Sequence, residues 1–231
     1  MRNISQFLAT VSESVKANVK PNLAFNATES DDELRVLLHG VIGDEFDGMD
    51  SSSLVSTISE FSGSTIRMDI NTPGGSVFDA MSVYNALVMH DAEVIADVTG
   101  TAYSAGTIVA SAADTIRISA GAQWMIHRAW AIAAGNAPVM RESALMLERA
   151  DDQIAELLAE RSGNDFEVIV DWMSGTIDGT TFTGAEAVDQ GFADELIPLK
   201  SKNSTGKTIS QRRFYEVAAQ VCWSRLKNSR V

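Results

Sequence analysis

Hydrophobic and polar positions first organise at Glu33-Leu34-Arg35-Val36-Leu37-Leu38-His39-Gly40, a strand-like run that stops at a glycine. Ser51 to Phe61 then reads as a helix and Thr65 to Ile70 as a short buried strand. Gly74-Gly75 marks a turn, followed by a helix through Val77, Met81, Tyr84, Leu87 and Val88. Glu93 to Val98 is another strand, and Ser104 to Ala113 is a small-residue, helix-compatible segment. Ile116 to Ile126 divides into two strands around Gly121. This alternation predicts α/β layering from repeated βα units.

The longest helix opens near Asn136-Ala137-Pro138, with Asn136 as cap and proline in the first turn. Met140, Ala144, Leu147, Ile154, Leu157 and Leu158 run along one side of it, and it ends before Gly163. Thr183-Gly184-Ala185-Glu186 has the form of a capping box and opens a short helix that stops at Gly191. Phe192 to Ile197 supplies a last strand. Residues 1–31 show no clear strand and read as an N-terminal arm. Residues 201–210 read as a Ser/Lys/Thr/Gly-rich linker, before an amphipathic stretch carrying Phe214, Val217, Ala218 and Val221. The expected organisation is an arm (1–31), one domain (32–199) and a tail (200–231).

Composition narrows the class. At 231 residues with 45% hydrophobic positions, the chain can bury one good core. No apolar run approaches the roughly 18 residues of a membrane span, and the first twenty residues lack a secretory apolar core. Cys222 is the single cysteine, so a disulfide framework is excluded and a cytoplasmic location is expected. The net charge of −13 argues against nucleic-acid binding by the main domain. From Lys200 onward there are eight basic residues and one acid, so a tail of +7 follows a body of −20. Such a tail suits an acidic partner or is simply solvated.

Three segments carry candidate chemistry. A serine hydroxyl becomes nucleophilic only when a base takes its proton and backbone donors hold the oxyanion. Gly100-Thr101-Ala102-Tyr103-Ser104-Ala105-Gly106 places a serine after a strand and at the opening of a helix, where free N–H groups face developing negative charge. It departs from the G-x-S-x-G elbow because Ala102 replaces the first glycine. Trp124-Met125-Ile126-His127 ends an apolar strand on one of three histidines. His39 and His90 fit structural roles better. Asn71-Thr72-Pro73-Gly74-Gly75 follows a third strand, and its glycines permit a turn whose amides could face a carbonyl. Each alone is an ordinary cap, strand end or turn. Together, in this order and each at a strand end, they describe a site.

These segments resemble the Clp peptidase subunits. Ile70-Asn71-Thr72-Pro73-Gly74-Gly75, Gly100-x-Ala102-x-Ser104-x-Gly106 and Met125-Ile126-His127 carry the resemblance, which resumes at Phe182-Thr183-Gly184-Ala185-Glu186-Ala187-Val188 and Gly191. It spans about residues 34–197. It implies an α/β, crotonase-like fold of repeated ββα units, with the long helix as a handle joining two rings of a homo-oligomer. It also implies a serine endopeptidase acting on polypeptides without metal or organic cofactor. Ser104 would be the nucleophile, His127 the base, and the Gly74 and Ala105 amides the oxyanion hole. The acid is less well matched. With the frame fixed on Phe182, the family's aspartate position falls on Thr180; Asp178 is the nearest acid and the choice, with Asp171 in reserve.

Other departures refine the expectation. Arg128-Ala129-Trp130 follows His127 without the proline usual in housekeeping subunits. With Trp130, Gly135-Asn136-Ala137 and the divergent ends, the chain looks more like Clp-related head-maturation proteases of tailed phages and prophages. That likeness implies capsid or scaffold proteins as substrates, with an ATPase as the alternative partner. Three other readings stand against it. Acyl-CoA enzymes of crotonase type would want carboxylates, and no glutamate stands in the two glycine-rich loops. A Ser–Lys peptidase would want a lysine, absent between Lys20 and Lys200. The last is a non-catalytic, ring-forming structural subunit.

Overall fold

Alternation along β2 (Glu33–His39) buries Leu34, Val36 and Leu38 on one face and leaves Glu33, Arg35 and His39 at least partly open. The same period of two buries Ile66, Met68, Ile70 and Thr72 on β3 (Thr65–Thr72). It also buries Val94, Ala96, Val98 and Ala102 on β4 (Glu93–Tyr103), and Ile116 and Ile118 on β5 (Thr115–Ser119). Parallel register sets Val36 beside Met68, Met68 beside Ala96, and Ala96 beside Ile116, a continuous apolar row across four strands. Three helices, α1 (Ser51–Glu60), α2 (Val77–Val88) and α3 (Ala105–Ala110), add Leu54, Ile58, Val83, Leu87 and Ile108 to this core. Each such side chain, fully buried, contributes about 1.5–3 kcal/mol.

This computed structural model describes residues 25–30, 32–43, 50–175 and 179–199. The tail, its linker and its amphipathic stretch, together with most of the arm, lie outside the described residues. The remaining elements are β1 (Phe25–Glu29), β6 (Gln123–Ile126), α4 (Ala137–Ser162), α5 (Phe166–Ser174), β7 (Thr180–Thr183), α6 (Gly184–Asp189) and β8 (Glu195–Ile197). The sheet runs β1-β2-β3-β4-β5-β8, with β6 also on β4 and β7 on β6. β1 and β7 pair antiparallel and the other ladders are parallel. No helix among the described residues is long and apolar enough to cross a membrane.

Five elements differ from the sequence reading. β1 falls inside the segment read as an arm: its backbone pairs with the edge of β2, which a polar run such as Phe25-Asn26-Ala27-Thr28-Glu29 does not announce. β4 continues past Val98 to Tyr103 because Thr101–Tyr103 find a second partner in Gln123–Met125. α5 and β7 occupy a stretch given no element from sequence. β8 is only three residues long, the start of its expected run being taken up by the turn after α6.

The long helix matches its signals at both ends. Asn136 caps α4 by accepting from the Val139 N–H at 3.3 Å, and Gly163 closes it in the left-handed conformation with φ 73°. The capping box is formed too: Thr183 Oγ1 accepts from Glu186 N–H while the Glu186 carboxylate accepts from Thr183 N–H. The Thr183 N–H and the Thr183 hydroxyl, both donating to it, hold the Glu186 carboxyl below its ordinary pKa.

Candidate active site

Parallel pairing of β4 with β6 brings the two halves of the proposed chemistry together. Tyr103 and Met125 are register partners, so the residues just beyond them leave the sheet side by side. Ser104 N–H donates to Met125 O at 2.9 Å, fixing the turn to the neighbouring strand. The Ser104 hydroxyl and His127 Nε2 are then 2.7 Å apart. β6 is itself anchored from beneath by buried Trp124, stacked on Phe192 with ring centroids 5.6 Å apart. His127 is buried, and its Nε2 is the nitrogen turned to the serine.

Ser104 has φ 54° and ψ −124°, and it alone among the described non-glycine residues has positive φ. A β-substituted residue held there stores on the order of 1–3 kcal/mol of backbone strain. What holds it is local: the strand ladder before it, the Met125 bond, and α3 starting at once with Ala105. Thr107 N–H closes the turn onto Ser104 O at 2.9 Å. The Ala105 amide has no hydrogen-bond acceptor among the described residues.

The glycine loop lies against the serine. A Cβ at Gly74 would stand 2.6 Å from Tyr103 O and 2.7 Å from Ser104 Cβ, so only glycine permits this approach. Its own N–H, expected in the oxyanion hole, instead donates to Thr72 Oγ1 at 3.0 Å. Thr72 is fully buried and donates in turn to Gly40 O at 2.6 Å. Nothing in the sequence marks Thr72 for this role. A cleft of about 350 Å³ opens in front of Ser104 and His127, between Pro73-Gly74-Gly75 and Trp130.

The acid positions separate. Asp171, on α5, is exposed and makes no hydrogen bond to His127. Asp178 lies outside the described residues. Its chain neighbour Gly179 packs on the histidine: a Cβ at Gly179 would come within 2.1 Å of Ile126 O and 2.4 Å of His127 Cβ. Tyr103, next to the nucleophile, has its hydroxyl pKa raised by burial and donates to Gln123 Oε1. No group of three or more His, Cys, Asp or Glu among the described residues could hold a metal ion.

One set of contacts had no signal in the sequence. Asp151 of α4 accepts from Ala129 N–H at 2.6 Å and from Arg128 Nη1 at 3.2 Å. Arg128 also donates from Nε and Nη2 to Ser174 Oγ, at 3.1 and 3.0 Å. A carboxylate on the polar side of a helix looks like any solvated charge until the fold supplies its partners.

Comparison with known proteins fits this geometry. The pattern of the Clp protease family matches residues 27–200. The chain is 30% identical over 164 residues to ATP-dependent Clp protease proteolytic subunit 3 of Rhodococcus jostii, covering 70% of this chain and 80% of that one. It is 27% identical over 169 residues to an ATP-dependent Clp protease proteolytic subunit of Ligilactobacillus salivarius, covering 72% and 84%. Among solved structures, an N165D mutant of ClpP1 from Listeria monocytogenes superposes with a TM-score of 0.61 at 23% identity, over 72% of this chain and 92% of that one. That likeness carries the fold. The paired strand ends and the glycine loop sit within the matched span, and the match across residues 27–200 makes the chain a member of the Clp protease family.

Proposed function

We propose that the chain is a serine endopeptidase in which Ser104 attacks and His127 serves as base. The observation that carries this is the 2.7 Å Ser104–His127 contact, held at a strained turn facing an open cleft. Ser104 Oγ adds to the scissile carbonyl as its proton passes to His127 Nε2. The oxyanion meets the Ala105 N–H, and the Gly74 N–H joins it by turning from Thr72 Oγ1, the kind of tightening that apo sites undergo on binding. Collapse returns the proton from Nε2 to the leaving amine, and water then hydrolyses the acyl-enzyme. Asp178 is the orienting acid of this reading, supported by the seat of Gly179 on His127. Its task is to fix the imidazole tautomer and stabilise the imidazolium.

The enzyme works as a cytoplasmic homo-oligomer of rings, stacked through α4, whose first half exposes Val139, Met140, Leu145 and Met146. Its substrates are polypeptides. The sequence likeness around Trp130 and Gly135-Asn136-Ala137 favours capsid and scaffold proteins of a phage or prophage over general turnover with an ATPase.

Labelling with a fluorophosphonate tests the chemistry. Attachment at Ser104 that disappears in Ser104→Ala and falls by at least about a thousandfold in His127→Ala is expected. An intact oligomer that takes no label would instead be a ring-forming structural subunit. Substrate class is tested separately, by adding purified capsid and scaffold proteins and an unrelated unfolded protein with and without an ATPase. Cleavage of the unrelated protein alone would remove the capsid reading.

A further inference from the structure

The chain leaves the sheet at His127, and the following residues to Asn136 belong to no strand or helix. Their backbone groups must therefore find partners elsewhere, and the first two do so in a specific way. Arg128 N–H donates to Met173 O at 3.2 Å, and Ala129 N–H donates to Asp151 Oδ1 at 2.6 Å. The second Asp151 oxygen takes Arg128 Nη1, and the carboxylate is 13% exposed. Arg128 then reaches Ser174 Oγ, one residue before Gly175, which bridges to Gly179 against the histidine.

From this we infer that Asp151 is a positioning residue for His127, acting through Arg128 and Ala129. The inference rests on the Ser104–His127 reading above. Exposed ion pairs contribute little. This carboxylate differs because it is mostly covered and one of its bonds goes to a backbone amide two residues from the base, where charge-assisted hydrogen bonds are short and directional. It also ties that amide to α4, so the long helix sets the height of the histidine over Ser104. Sub-ångström errors there matter, since misplacing a reacting group by about 1 Å can cost about a hundredfold in rate.

The test is saturation labelling of Ser104 by a fluorophosphonate in full-length wild type, Asp151→Ala and Asp151→Asn, with mass and oligomeric state measured on the same samples. Asp151→Ala is expected to lower the limiting labelling rate by about tenfold or more, with the half-saturating probe concentration held within about twofold. Asp151→Asn keeps an oxygen for the Ala129 amide and recovers part of that loss. Equal limiting rates in all three proteins would overturn the inference. So would a loss expressed only in half-saturation, or loss of the folded oligomer in both variants, which would make Asp151 structural. Absence of label on wild-type Ser104 overturns the serine-peptidase reading itself, and with it this inference.

Discussion

The two halves of α4 share one helix and one amphipathic sequence pattern, yet they live in different surroundings. From Ala150 onward, Ala150, Ile154, Ala155 and Leu158 are buried in or against the core. Before it, Val139, Met140, Leu145 and Met146 stand exposed, Met140 by 45%. Periodicity says which residues share a face. It does not say whether the same chain or another copy covers that face. The expected stripe from Met140 to Leu158 is thus two stripes, one closed within the subunit and one left open.

The sharpest way to break the comparison is Leu158→Ala, which should cost about 2–5 kcal/mol in urea unfolding because it opens a cavity in the closed half. If the cost is under about 1 kcal/mol, that half is not core. Asn136→Ala removes the cap of the open half and should cost about 1 kcal/mol, read in the same assay and independent of the core. Met140→Ser should lie within about 0.5 kcal/mol of wild type for the isolated subunit. Its effect belongs to sedimentation, where smaller species are expected if rings stack through this half. Unchanged sedimentation would mean the open stripe is not an oligomer contact.

How much could be read in advance depends on how local each signal is. β2 was legible because Leu34, Val36 and Leu38 recur at every second position over a single strand flanked by Glu33 and His39. Ser104 and His127 were legible because their segments and Asn71–Gly75 occur in order after predicted strands, His127 directly at the end of an apolar one. The end of β4 was not, since Gly100 and Thr101 are poor strand signals and extend only by pairing with β6. Nor was the bond from the Gly74 amide to Thr72, which depends on how a two-residue turn closes. The Arg128–Asp151 contact spans 23 residues, from a loop to α4, and nothing near either residue announces it. The choice between Asp178 and Asp171 stayed open for the same reason. The exposed place of Asp171 on α5 weighs against it, and Asp178 lies outside the described residues.

β4 is the strand on which the nucleophile hangs, and it is bonded to β3 along one edge and to β5 and then β6 along the other. Amides so placed exchange with solvent deuterium only when the whole sheet opens, while those of short edge strands exchange through local fraying. Ser104 is thereby fastened to a strand whose amides should be among the slow ones, and Gly179, packed on His127, to a four-residue strand that need not keep the same time.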